Sequence, residues 1–138
     1  MEEAIELDAA AWRRFAAVEA KRIMDTFAIP HHGGLESLER ALAFRMYAVV
    51  NEQHVEWSAD HATLRFVMDA CRVQQARMRK GLPPFPCRPV GEVEFTTFAQ
   101  VIDPRIVTRC TACPPDAAAG GACTWEFTLG GSRPPGVA

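Results

Sequence analysis

Asn51-Glu52-Gln53-His54-Val55-Glu56-Trp57-Ser58-Ala59-Asp60-His61-Ala62-Thr63-Leu64-Arg65-Phe66-Val67-Met68-Asp69-Ala70 is the stretch that decides the fold. Its second half, from Ala62 to Ala70, sets Leu64, Phe66 and Met68 against Thr63, Arg65 and Val67, the period of a strand with one buried face. Its first half belongs to an extended reading from Tyr47 to Trp57, in which Val49, Val55 and Trp57 share a parity that Asn51 and Gln53 interrupt. Ser58-Ala59-Asp60-His61 is the turn, so the two halves read as an antiparallel hairpin. Upstream, Asp8 reads as an N-cap. Trp12, Phe15, Ala16, Glu19, Ile23 and Phe27 then fall at helical spacing, apolar except for Glu19. This predicts a helix over 9–28, stopped by Ile29-Pro30. After the turn His31-His32-Gly33-Gly34, a second helix starts near Leu35 with Leu38 and Leu42 on one face. Downstream, 72–80 favours helix and Gly81 stops it. Four prolines within 82–89 exclude regular structure there. A helix is expected over 90–102, and strands over 105–113 and 123–129, with 114–121 as a hairpin tip. The expected class is α+β: about four antiparallel strands with helices packed on one face.

The chain has 138 residues, with 15 basic and 17 acidic side chains. That length suits one domain over 1–138: N-terminal helices to 46, a cysteine-rich α+β part over 47–129, and a frayed tail over 130–138. A chain of this size buries roughly two-thirds of its unfolded surface, so it needs neither disulfides nor metal merely to fold. A net charge of −2 excludes a generally basic nucleic-acid binder. Apolar runs such as Met46-Tyr47-Ala48-Val49-Val50 are too short to span a bilayer. The acidic start (Glu2, Glu3, Glu6, Asp8) has the wrong charge for a signal or transit peptide, which predicts a cytoplasmic protein.

Cys71, Cys87, Cys110, Cys113 and Cys123 are the five cysteines. In a reducing compartment they point to metal ligands or a reactive thiol rather than to stable bridges. Cys110-x2-Cys113 and Cys123 flank one hairpin loop and can converge. Two thiolates so spaced can grip one ion and a third reaches it across the hairpin. Cys87, in the proline loop, is the natural fourth ligand. Zinc suits this set better than an iron–sulfur cluster, because the repeated spacing of ferredoxins is absent. Two alternatives stand beside the metal: buried cysteines acting as small hydrophobes, and redox chemistry through Cys110 and Cys113.

Cys71 ends a strand and opens a helix beside Arg72. A helix N-terminus and a guanidinium both favour thiolate, which makes Cys71 a candidate nucleophile, against a packed strand-end thiol. Arg72, Arg77, Arg79, Lys80 and Arg88 form a basic run that could hold a carboxylate or phosphate, or form a solvated helix face. Too few and too local for DNA, they suggest a small anionic ligand. His31, His32 and His61 read as solvated turn residues. His54, on the first strand, is a weaker candidate for a metal or base role. Glu92 and Glu94 lie two apart on a helix and make a poor acid–base pair. Trp12, Trp57 and Trp125 read as core. No GxGxxG, Walker A, HExxH or GxSxG pattern occurs.

Cys71-Arg72-Val73-Gln74-Gln75-Ala76-Arg77, Gly81-Leu82-Pro83-Pro84-Phe85-Pro86-Cys87, Ile102-Asp103-Pro104-Arg105, Arg109-Cys110-x2-Cys113-Pro114-Pro115-Asp116 and Cys123-Thr124-Trp125-Glu126-Phe127 together resemble an uncharacterised prokaryotic cytosolic-protein family. That family is similar to the L-2-amino-thiazoline-4-carboxylic acid hydrolase-like family. The resemblance spans Ile5 to Leu129. The cysteine followed by alternating aromatics on the last strand also resembles vinyl-4-reductase-type ligand domains. The resemblance implies a cysteine-rich zinc site beside a small-molecule pocket, with Cys110, Cys113 and Cys123 at the metal and Cys71 and Cys87 near it. The Cys-x2-Cys pair followed by Pro-Pro-Asp departs from the hydrolase pattern, and the relatives carry a further helical segment upstream.

Two function classes follow. One is a small-molecule-binding metal-site domain, with hydrolysis of a C–N or C–S bond in a small carboxylated heterocycle as its enzymatic form. Arg72 or Arg88 would then hold the carboxylate, and Cys71 or a metal-bound water would attack. The other is a non-catalytic, zinc-stabilised sensor or interaction domain. The sequence leaves a homo-oligomer open in either case.

Overall fold

A computed structural model describes residues 1–116 and 123–130. The elements run α1 (Glu2–Phe27), α2 (Gly34–Leu42), α3 (Met46–Val50), β1 (Glu52–Trp57), β2 (Thr63–Ala70), α4 (Arg72–Arg79), α5 (Arg88–Ile102), β3 (Ile106–Ala112) and β4 (Thr124–Leu129). The four strands form one antiparallel sheet in the order β1-β2-β4-β3. Leu64, Phe66 and Met68 are buried as the alternation predicts, together with Ile106, Trp125 and Phe127 from the other hairpin. The helices cover this face, while Arg65, Asp69 and Arg109 stand on the exposed one. The α+β reading is correct. Most of the expected hairpin tip, 117–121, and the tail beyond 130 lie outside the described residues.

Three boundaries differ from expectation, each for a physical reason. α1 begins at Glu2, so Asp8 lies inside the helix rather than capping it. Glu2 and Glu3 supply the negative charge that a helix N-terminus favours. The buried stripe of α1 is Ala16, Ala20, Ile23 and Met24; Phe15 and Phe27 are exposed, and Phe27 stacks on Phe44 at 3.7 Å. Residues 47–50, expected to be extended, belong instead to a helical turn that starts at Met46. Glu19 of α1 fixes it from outside: its Oε2 accepts the Met46 N–H at 3.0 Å while its Oε1 accepts Arg45 Nε at 2.9 Å. The β-branched pair Val49-Val50 is overruled by a contact far away in sequence. Finally, α5 takes in Arg88 and Pro89, since proline is tolerated in a first helical turn.

In β1, Gln53 shares the inward face with Val55 and Trp57. It interrupts nothing, because its Nε2 donates to the Leu42 carbonyl at the end of α2 at 3.1 Å. Trp57 Nε1 likewise donates to Glu39 at 2.8 Å. α5 packs onto the sheet through Phe95, whose ring lies 5.4 Å from Phe66 and 4.7 Å from Trp125. Gly91 makes that approach possible: a Cβ there would stand 2.6 Å from Trp125 Cζ2.

Asp103, fully buried at the end of α5, pins the α1–α2 turn to the start of β3. Its Oδ1 accepts Arg105 N and Nε, each at 3.0 Å. Its Oδ2 accepts Gly34 N at 3.0 Å and Arg105 Nη2 at 2.7 Å. Gly34 offers that N–H from φ +71°, a backbone conformation that costs a side-chain-bearing residue. The Arg105 hydrogen bonds hold the Asp103 carboxyl at about 2, below its usual range. A depressed carboxylate stabilises the fold above its unfolded value, about 4, and that contribution is lost as pH falls through about 2. Asp103→Asn should therefore lower stability at pH 6 and flatten the acid limb between those values. Urea midpoints measured across that range check this, and an unaltered acid limb would contradict it.

Candidate functional site

A cavity of about 130 Å³ opens between the N-terminal part of α1, α3, the start of α4, α5 and the sheet. Its aromatic wall is Trp12, Tyr47, Phe85, Phe95 and Trp125, and its sulfur wall is Cys71, Cys87, Cys113 and Cys123. The described residues thus bring four of the five cysteines to one space. Cys110, on β3 opposite Trp125, is the fifth; it touches Cys113 from outside the cavity lining.

Gln74 carries the proline loop into place. It is buried in α4, its Nε2 donates to the Phe85 carbonyl and to Cys87 Sγ at 2.9 Å each, and its Oε1 accepts the Phe85 N–H at 2.9 Å. Arg77 adds a 2.8 Å bond to the Pro83 carbonyl and lies over the Phe85 ring. Cys87 thereby becomes the residue that opens α5. The Cys113 thiol, buried, is the hub of the cluster, in hydrogen-bond contact with Cys87, Cys110 and Cys123. Its own ionisation is pushed far up, first by the hydrogen bonds to Cys123 and Cys87 and then by burial. Cys87 and Cys123 move the other way, toward thiolate, because the Cys113 proton is donated to them. The Trp125 indole N–H, buried without a well-directed acceptor, also favours a negative Cys123 sulfur.

Sulfurs are soft donors, and two of these are biased to thiolate. Among the described residues, however, no group of three His, Cys, Asp or Glu side chains is arranged to hold an ion. The sulfurs of Cys87, Cys110 and Cys123 instead lie against that of Cys113. Metal binding would have to displace the thiol protons of its ligands.

Cys71 is partly buried against the core. Cys71 does precede α4, and the backbone N–H groups of Gln74 and Val73 do favour its thiolate. Burial outweighs them and raises the thiol above its ordinary value. The two arginines expected to hold an anionic ligand also lie elsewhere. Arg72 is exposed and absent from the cavity wall; its backbone N–H donates to Asn51 Oδ1 at 2.8 Å. Arg88 is exposed and faces Asp116 at 4.0 Å. The charged side chains that do line the cavity are Asp8 and Glu94, both acidic. His54 stands on the exposed sheet face between Asp69 at 2.6 Å and Glu56 at 3.0 Å, away from the cysteines.

Sequence reasoning missed Glu94, Arg45 and Gln74. The signal for Glu94 was present: it is four residues after Val90 and four before Phe98, on the buried stripe of α5, while Glu92 is exposed. Burial raises the Glu94 carboxyl and Arg45 partly offsets this. Tyr47, on the cavity wall, is pushed up to about 12, first by burial and then by Glu94. Nothing local marked Arg45 as buried.

The family of unknown function DUF6125 matches residues 1–129, and the chain belongs to that family. The match carries no link to the thiazoline-carboxylate hydrolase-like proteins. No curated protein matches the chain. No helix of the described residues is long and apolar enough to cross a membrane.

The burial of Cys71 has a direct consequence. At pH 7 its alkylation by iodoacetamide, followed by peptide mass mapping, should be slower than that of free cysteine. Alkylation faster than free cysteine would show that the helix N-terminus, and not burial, governs this thiol.

Proposed function

We propose that this member of the family is a small-molecule-binding domain built around a cysteine centre, and that zinc is the ion the centre takes. The observation that carries the reading is the convergence of Cys87, Cys110 and Cys123 on the Cys113 thiol, at the wall of an otherwise apolar and aromatic cavity. Cys87, Cys110, Cys113 and Cys123 would hold the ion. Bound zinc would tie the four thiolates into one closed tetrahedral shell and so fix the sulfur wall beside the cavity. The chain's own residues bind and orient the ligand: the rings of Trp12, Phe85 and Phe95 exclude water, and Gln74 keeps Cys87 at the wall.

Of the two function classes, this favours a non-catalytic sensor or binding module. A hydrolase of a small carboxylated heterocycle would need Cys71 as a thiolate and an arginine at the carboxylate. Burial keeps Cys71 as a thiol, and neither Arg72 nor Arg88 borders the cavity. An iron–sulfur cluster is the less suitable alternative for the same sulfurs. An intracellular location goes with reduced cysteines.

Elemental analysis of protein purified without added metal tests the reading. The expected result is about one zinc per chain, as a single four-sulfur shell would hold. Cys113→Ser should lose most of it, because the hub is gone, and Cys71→Ser should keep it. Metal-free wild-type protein, or an undiminished content in Cys113→Ser, would overturn the zinc centre.

A further inference from the structure

The cavity wall has a charge pattern that the zinc reading does not use. Among the described residues its charged side chains are Glu94 and Asp8, with no lysine, arginine or histidine on the wall. Glu94 is 8% exposed, and that remnant faces the cavity it lines. Its Oε1 meets Arg45 Nη2 at 2.8 Å, off the hydrogen-bonding direction, while its Oε2 has no partner among the described residues. Arg45 is shared, since its Nε is taken by Glu19 at 2.9 Å. Two carboxylates thus face one guanidinium, and the uncompensated negative charge falls on the member that borders the cavity. A buried carboxylate without full compensation is costly, and a cation brought to it removes that cost.

The rest of the wall suits such a cation. Trp12, Tyr47, Phe85, Phe95 and Trp125 present aromatic surface, and ring faces attract an ammonium. A volume of about 130 Å³ is close to the roughly 150 Å³ of an apolar cavity that takes a benzene-sized guest. An anion of the same size would meet two carboxylates and no cationic side chain on the wall.

We propose that the cavity selects a small primary ammonium on a compact apolar or aromatic frame, with the nitrogen donating to Glu94 Oε2 and the frame lying among the rings. This rests on the small-molecule reading above and gives it a ligand class. It replaces the anionic ligand that the basic run suggested.

Three probes of one shape and different charge test it: benzylamine, benzyl alcohol and benzoate, titrated into the protein as purified and followed by tryptophan fluorescence and amide chemical shifts. Benzylamine should bind roughly ten- to a hundredfold more tightly than benzyl alcohol, the range expected for a hydrogen bond to a charged group. Benzoate should not bind. Glu94→Gln should bring benzylamine down to the level of benzyl alcohol. If Glu94→Gln does not fold, Asp8→Asn should still narrow the gap between benzylamine and benzyl alcohol severalfold. Equal or tighter binding of the alcohol or benzoate overturns the ammonium inference and leaves the cavity as a binding site. A benzylamine preference that persists in the folded variants also overturns it. Failure of all three probes overturns the small-molecule reading itself.

Discussion

The Arg45 guanidinium is the charge on which the arrangement turns. It is buried at the entry to α3, where its Nε bonds Glu19 of α1 and its Nη2 contacts Glu94 of α5. It also lies over three rings, Trp12, Phe95 and Phe98, at 5.7, 5.3 and 4.8 Å. Removing one partner from a buried ion pair costs about 3–5 kcal/mol, because the partner left behind is stranded without water. That is a large share of the stability of a small domain. The same charge fixes three elements that build the cavity: α1 through Glu19, α5 through Glu94, and the turn bearing Tyr47 through the Glu19 bond to Met46.

Once α5 is fixed, the sulfur wall follows. Gly91 lets the helix approach Trp125 closely, and Cys87 sits one turn earlier, at the helix start. Gln74 ties the proline loop to α4, so Cys87 arrives beside the Cys113 thiol from the sheet. The cavity therefore lies where two polar devices meet. At one a carboxylate meets a guanidinium, and at the other a group of sulfurs gathers on Cys113, with aromatic rings on the wall they share. Both devices are under-compensated, which is what a ligand and an ion would relieve.

Much of the fold was legible in the sequence, and the reasons are local. Leu64, Phe66 and Met68 alternate cleanly because one sheet face is buried and the other wet. Proline and glycine marked the ends of α1 and α4 for steric reasons. The cysteines could be grouped because hairpin geometry brings residues on either side of a loop together. What was not legible was set at long range. The turn at 46–50 depends on Glu19, 27 residues before Met46. Cys71 had the right helix terminus, but its burial was invisible to a local reading. The basic run suggested an anion site, yet Arg72 and Arg88 both turn to the surface. Glu94 could have been found, since a carboxylate on a buried apolar stripe is the exception that calls for a partner.

The central proposal is that Cys87, Cys110, Cys113 and Cys123 form a single metal centre beside the cavity. X-ray absorption at the zinc edge of the zinc-loaded protein tests it most directly. The account predicts a shell of about four sulfurs at roughly 2.3 Å, and little nitrogen or oxygen. A shell dominated by nitrogen and oxygen, with at most one sulfur, would contradict it.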